Sequence, residues 1–171
     1  NAASKKLNPN SLQFILELGF DKIESEDFDG AIKEFTKAIE KDPNSGNAYF
    51  GRGLAKYYLE DYDGAIEDFS EAIAINQNDA DSYFNRGFTK YILEDYEGAI
   101  ADFSKAIAIN PDDDEAYYER GISRYALEDY EGAIEDFTQV IELNPDAGYA
   151  YYERGLANYR DGNYERAIDD F

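Results

Sequence analysis

Arginine recurs at positions 52, 86, 120 and 154, and aspartate recurs at 68, 102, 136 and 170. A row of guanidiniums could cradle phosphates, but an arginine facing a carboxylate forms a bidentate pair that leaves no site open. Each arginine has its own aspartate at one constant offset, so Arg52, Arg86, Arg120 and Arg154 are expected to form structural ion pairs with Asp68, Asp102, Asp136 and Asp170. Paired acids could also hydrolyse a glycosidic bond, yet here the acids repeat at turns and helix exteriors and do not converge. "DYDG" at 61–64 has the look of part of a calcium loop, but with Gly64 counted as sixth the twelfth place holds Ser70 in place of the bidentate glutamate. "PDDDEAYYE" from 111 could gather a hydrated cation, or simply solvate a loop and start a helix. The chain has no histidine and no cysteine, which removes the commonest general base, the commonest metal ligand and every thiolate. No catalytic residue, no metal and no cofactor is expected.

The remaining composition narrows the partners. Thirty-eight acidic residues against 16 basic ones give a net charge of −22, which repels phosphate backbones and anionic headgroups. Nucleic acid is therefore excluded as an expected partner. No apolar run approaches the roughly 20 residues of a membrane span, and no signal-peptide core is present, so direct membrane insertion is not expected. The segment reads as soluble and intracellular, although the lack of cysteine does not itself decide between compartments. Aromatic residues make up 16% of the chain, 16 tyrosines and 11 phenylalanines without tryptophan, which is ample surface to bury.

The elements that position these residues follow from a period of 34. It connects Gly19, Gly53, Gly87, Gly121 and Gly155; Ala31, Ala65, Ala99, Ala133 and Ala167; and Phe35, Phe69, Phe103, Phe137 and Phe171. The same step links Phe28 with Tyr62, Tyr96, Tyr130 and Tyr164. Within each unit the apolar positions recur at three and four residues, as in "YFGRGLAKYYL" and "AIEDFSEAIAI", so each unit predicts two helices joined by a tight turn. Asp27, Asp61, Asp95, Asp129 and Asn163 stand where the second helix starts and can accept hydrogen bonds from its free amides. Pro43, Pro111 and Pro145 close three units, and Gln77 replaces the proline of another. Gly30, Gly64, Gly98 and Gly132 lie in the first turn of the second helix, where glycine costs up to about 1 kcal/mol relative to alanine and nothing in the sequence explains it.

This period, with small Gly and Ala at the helix crossings and an aromatic between them, resembles the tetratricopeptide repeat family over residues 12–171. Two departures stand out. The family's Trp position carries Ile15, Tyr49, Tyr83, Tyr117 and Tyr151, and the tyrosine expected three residues after the glycine is displaced by one place. The resemblance implies an all-α fold, a right-handed superhelical solenoid of antiparallel helix pairs, with units at 12–45, 46–79, 80–113, 114–147 and an incomplete 148–171. Residues 1–11 read as the tail of a preceding repeat or an appended remnant, because Leu7, Asn8 and Pro9 are in register with Leu143, Asn144 and Pro145. An end unit of such an array normally carries a polar cap. The C-terminal face is accordingly expected to pack on another molecule, a second copy of this chain included, or to continue.

In that family the first helix of each pair lines the concave face, and ligand contacts come mainly from its positions 2, 5, 6, 9, 12 and 13. Mapped here, positions 5, 9 and 12 give one helical stripe of Phe50, Leu54 and Tyr57; Phe84, Phe88 and Tyr91; Tyr118, Ile122 and Tyr125; and Tyr152, Leu156 and Tyr159. Positions 2 and 6 give a rim of Asn47, Asp81, Asn85, Glu115, Glu119 and Glu153, interrupted by Tyr149. At positions 5 and 9 packing between helices and ligand contact are both open, whereas tyrosine at position 12 keeps a hydroxyl that prefers water or a partner. Family members that grip tails ending in paired carboxylates use cationic and amide side chains where this chain has Leu16 and Phe20, which argues against an acidic tail. The implied function is a non-catalytic interaction scaffold for a protein or peptide with apolar anchors flanked by Lys or Arg. The alternative is a self-assembling module that forms arrays through its open ends.

Overall fold

A computed structural model describes Asn8 and residues 10–171. The reading of residues 1–11 as a helix tail therefore falls, for 1–7 and 9, outside the described residues. Among the described residues there are ten α-helices and no strand, arranged as hairpin pairs. They are α1 (Leu12–Glu24) with α2 (Phe28–Lys41), α3 (Gly46–Tyr58) with α4 (Tyr62–Ile75), α5 (Ala80–Ile92) with α6 (Tyr96–Ile109), α7 (Asp114–Ala126) with α8 (Tyr130–Leu143), and α9 (Gly148–Arg160) with α10 (Tyr164–Asp170). The chain divides into two compact units, residues 1–82 and 83–171, with the boundary inside α5. None of the described helices is long and apolar enough to cross a membrane.

The tight turn within each pair is built from three residues, and one of them is strained. Glu26, Glu60, Glu94 and Glu128 adopt φ of 61°, 63°, 62° and 62°, and Gly162 stands at the same place with φ of 85°. This left-handed residue ends the first helix: in the second pair Glu60 N–H donates to the Tyr57 carbonyl at 2.9 Å and Asp61 N–H reaches back to the Lys56 carbonyl at 2.9 Å. Asp61 then starts the next helix, its carboxylate accepting from Gly64 N–H at 3.1 Å, as Asp27, Asp95 and Asp129 do from Gly30, Gly98 and Gly132. A Cβ at any of those four glycines would overlap the capping carboxylate, which accounts for them. Asn163 departs from the expectation. Its side chain makes no cap, and its amide donates instead to the Asp161 carboxylate at 2.6 Å. Gln77 does not lengthen its helix either: α4 ends at Ile75 in the register where α6 ends at Ile109 before Pro111.

Each pair closes on one ring. Phe35, Phe69, Phe103 and Phe137 are fully buried, as are Ala31, Ala65, Ala99 and Ala133 one turn before them. The glycine of the partner helix admits the ring, since a Cβ at Gly53 would stand 2.8 Å from Phe69 and one at Gly121 would stand 2.8 Å from Phe137. Burying a phenylalanine here contributes about 2 to 3 kcal/mol relative to leaving it in water.

The arginine row forms the expected pairs. Nitrogen-to-oxygen distances are 2.7 Å for Arg52–Asp68, 2.7 Å for Arg86–Asp102, 2.6 Å for Arg120–Asp136 and 2.6 Å for Arg154–Asp170. A second cation joins three of these aspartates, Lys56 at 2.8 Å, Lys90 at 2.7 Å and Arg124 at 3.0 Å. Asn158 takes that place in the last pair, donating to Asp170 at 3.3 Å. The guanidiniums also reach the preceding pair, where Arg52 meets the Thr36 hydroxyl at 3.4 Å, Arg120 meets Ser104 at 3.1 Å and Arg154 meets Thr138 at 3.3 Å. Tyr49, Tyr83, Tyr117 and Tyr151 lie under the same guanidiniums at 5.4 to 5.6 Å from ring centroid to cation. One arginine per pair thus ties together both helices of its own pair and, at these three positions, the pair before it.

Candidate functional site

In the first unit the candidate stripe lies along α3. Phe50 is half-buried with its ring 5.9 Å from Phe69, Leu54 is partly buried, and Tyr57 sits 5.6 Å from Tyr58 and 5.8 Å from Tyr62. Asn47 and Asp81 are exposed.

The second unit carries the longer run. On α5, Phe84 stacks 6.4 Å from Phe88, Phe88 lies 6.4 Å from Tyr91, and Phe84 also touches the core ring Phe103 at 5.5 Å. Asn85 is partly buried beside them. On α7, Tyr118 contacts Phe137 at 5.8 Å and meets Tyr149 edge-on at 5.0 Å with the planes at 90°. Ile122 and Tyr125 pack on the buried cluster of Ala133, Phe137 and Ala157. On α9, Tyr152 and Tyr159 are the most open of the set at 55% and 56% exposure, and Leu156 is partly buried. Most of the stripe therefore packs on its own pair while staying only partly buried.

The position-12 tyrosines share a contact that the sequence did not announce. Each leans on the aromatic that opens its own second helix, Tyr57 on Tyr62 at 5.8 Å, Tyr91 on Tyr96 at 5.5 Å, Tyr125 on Tyr130 at 5.4 Å and Tyr159 on Tyr164 at 5.4 Å. The signal was present in the 34-residue step linking Tyr62, Tyr96, Tyr130 and Tyr164. Tyr125 is fixed further by Arg160, whose Nε donates to its hydroxyl at 3.3 Å.

Electrostatics distinguish one stretch of the second unit. Burial, followed by the nearby Glu115 charge, pushes the Glu119 carboxyl up to about 7. Burial also raises Glu153. Tyr118 is pushed up to about 12, first by burial and then by the charges of Glu153 and Glu119. Tyr91 rises for the same reasons, burial leading and the charges of Tyr96, Glu119 and Glu153 following. Among the described residues neither the Glu119 nor the Glu153 carboxylate has a hydrogen bond or an ion pair, in contrast to Asp68, Asp102 and Asp136. Glu115, the last of the candidate rim, is exposed one turn earlier on α7.

Sequence profiles of two kinds match, one described as "Tetratricopeptide repeat" over 118–171 and one as "TPR repeat" over 53–93 and 89–127. The chain belongs to the tetratricopeptide repeat family. Among curated proteins none matches the sequence significantly. Solved structures agree on the fold. A structure titled "Crystal structure of MamA protein" is 26% identical, with a TM-score of 0.88 over 95% of this chain and 88% of that one. MamA from Desulfovibrio magneticus RS-1 is 19% identical, with a TM-score of 0.86 over 94% of this chain and 90% of its own. YrrB, described as a TPR protein with an unusual peptide-binding site, is 23% identical, with a TM-score of 0.84 over 95% of this chain and 84% of its own. Proteins built from this repeat are in general interaction modules, and the all-α helix-pair architecture predicted above is the one observed.

Proposed function

We propose that this chain is a non-catalytic scaffold whose first-helix face holds a protein or peptide segment with apolar anchors flanked by Lys or Arg. The observation that carries the reading is the half-buried aromatic run of the second unit, Phe84, Phe88, Tyr91, Tyr118 and Tyr125, beside the unpaired carboxylates of Glu119 and Glu153. Rings of this kind offer a large, rigid contact surface with little rotamer entropy to lose. The carboxylates bias the choice toward cationic flanks. YrrB shows that the fold is compatible with a peptide-binding site.

The test is a peptide array that varies apolar anchors and flanking charge, read at low and physiological salt, with Tyr91→Ala and Tyr125→Ala as comparators. Hits should combine aromatic or aliphatic residues with Lys or Arg, weaken with salt, and be lost in the two variants. Hits indifferent to both tyrosines would refute the assignment of this face.

A second reading, self-association, rests on the apolar side chains that α10 leaves open: Tyr164, Ile168 and Phe171 are 59%, 74% and 65% exposed. Light scattering across concentration separates the two, since association requires the mass to grow and the scaffold reading does not.

A further inference from the structure

The last pair carries a cavity whose origin is an exchange of two side chains. It measures about 290 Å³, lies between α8, α9 and α10, and is lined by no residue of the aromatic stripe or the rim. In the preceding pair Arg124 fills the corresponding place, with Nη1 3.0 Å from both the Asp136 carboxylate and the Gly132 carbonyl. A Cβ at Gly132 would stand 3.0 Å from Cδ of that arginine, so a long cation at the one position and a side chain at the other compete for the same room. One period later the two have traded: the short Asn158 stands in the register of Arg124, and Arg166 in the register of Gly132.

The exchange leaves polar groups without partners. Asn158 is 2% exposed and donates from Nδ2 to Asp170 at 3.3 Å. That bond fixes the amide, since the reverse orientation would set its oxygen against a carboxylate. Oδ1 is then a buried acceptor with no donor among the described residues. Arg166 and Asp169, both exposed, line the same cavity, and neither makes a hydrogen bond or an ion pair among the described residues. Arg154 and Thr138, by contrast, are spent on each other, on Asp170 and on the Ile134 carbonyl. The open edges are one buried acceptor, one exposed acceptor and one exposed donor.

We infer that this cavity is a binding site for a primary carboxamide, whose N–H groups donate to Asn158 Oδ1 and the Asp169 carboxylate while its carbonyl accepts from the Arg166 guanidinium. The walls carry two guanidiniums, Arg154 and Arg166, and two carboxylates, Asp169 and Asp170, so their charges balance. An ammonium meets both guanidiniums and offers Arg166 no acceptor. A carboxylate offers Asn158 no donor and faces two like charges. A neutral amide answers every open edge and costs less to move out of water than either ion. Ile134 gives its carbon stem an apolar wall. The group is carried by a glutamine or asparagine of a partner segment, or by a free small amide. The site goes beyond the scaffold reading above, and neither depends on the other.

The test titrates propionamide into the full chain and follows by NMR the side-chain amide of Asn158 and the Nε–H of Arg166. N,N-dimethylpropionamide keeps the carbonyl and loses both donors, propylammonium keeps donors alone, and propionate keeps acceptors alone. Each should bind about tenfold more weakly than propionamide, the factor expected when one edge of the site stays unpaired. Nα-acetyl-glutamine N-methylamide separates the sources: tighter binding than propionamide assigns the site to a partner's side chain, and weaker binding to a free amide. Arg166→Leu, at an exposed position, should weaken propionamide about tenfold. Asn158→Arg with Arg166→Gly rebuilds the Arg124 and Gly132 arrangement, fills the cavity from within and should abolish binding, with circular dichroism reporting that the fold is kept. No shift at Asn158 with propionamide, equal shifts from its dimethyl form, or binding that survives Arg166→Leu or the filled double variant overturns the site.

Discussion

Alanine is the better helix former, yet Gly121→Ala is expected to destabilise the protein. Propensity alone would favour the substitution by about 1 kcal/mol in mid-helix. The new Cβ, however, would stand 2.8 Å from Cε1 of Phe137 and 3.1 Å from Cδ1 and Cζ. Phe137 is fully buried among Ala133, Ala157 and the partly buried Tyr118, Ile122 and Tyr125, so the ring cannot swing into solvent. Overpacking of this kind costs about 1 to 3 kcal/mol, which outweighs the propensity gain and leaves a net loss of up to about 2 kcal/mol. Phe137→Leu alone opens space and costs about 1 to 2 kcal/mol. In the double variant the added methyl enters that space, so the combined loss should fall short of the sum by about 1 kcal/mol. Gly148→Ala is the control, because nothing lies within 4 Å of a Cβ there. Urea unfolding followed by circular dichroism measures the cycle. Amide exchange in α7 and α8 should accompany it, since repeat arrays need not unfold in a single step. A stabilised Gly121→Ala, or additive losses in the double variant, would refute the account of the glycine–phenylalanine contact.

Three further outcomes follow from the same geometry. Glu94→Gly, at φ of 62°, should raise stability by up to about 1 kcal/mol, because a left-handed glutamate costs about 1 to 2 kcal/mol and glycine returns part of that as chain entropy; a loss in urea unfolding would show that the turn is not strained. Asp136→Ala should cost about 3 to 5 kcal/mol by stranding Arg120 and Arg124, and Asp136→Ala with Arg120→Met should recover part of it, which thermal unfolding would show. Glu119 has a folded value of about 7 against an ordinary 4.5, so the folded state holds the proton more tightly: its contribution is fully present below about pH 4.5 and is lost as pH rises through 7. The unscreened span is about 3 kcal/mol, reduced to about 1 to 2 kcal/mol by partial exposure to solvent, and the difference between this chain and Glu119→Gln across pH 5 to 8 measures it.

The fold was legible because packing repeats wherever sequence repeats. Gly53 with Phe69 and Gly121 with Phe137 meet in space since a small residue and a ring recur at one offset, and a solenoid has only neighbours to satisfy. The arginine pairs were legible for the same reason. The turn was not: glutamate carries no preference for positive φ, so Glu26, Glu60, Glu94 and Glu128 gave no sign of it, and Gly162 at the same place is visible as a signal only once the others are known to be left-handed. Nor was the role of Gly30 and its counterparts, which depends on the rotamer of the capping aspartate three residues earlier. Asn163 failed as a cap although its register was correct, because a neighbouring carboxylate, Asp161, took its amide. At the candidate site the register placed Phe84, Tyr91, Tyr118 and Glu119 on first helices, but which carboxylates lack cations is a property of the whole charge arrangement and not of any one motif.

That arrangement gives the argument for a cationic partner its physical basis. With 16 basic residues against 38 acidic ones, most acids must stay in water. Several of the available cations are committed to the frame: Arg52 and Lys56 to Asp68, Arg86 and Lys90 to Asp102, Arg120 and Arg124 to Asp136, and Arg154 to Asp170. They hold helix to helix, and moving one to the first-helix face would strand a buried carboxylate at a cost of several kcal/mol. Glu119 and Glu153 are thereby left partly desolvated with no internal partner, although neutral side chains at these positions would remove the penalty. Asn85 in the preceding pair and Gly51 before it show that the position tolerates uncharged residues. A charge kept where the fold does not require it, beside tyrosines that the fold only half covers, is understandable if its compensation arrives with another molecule.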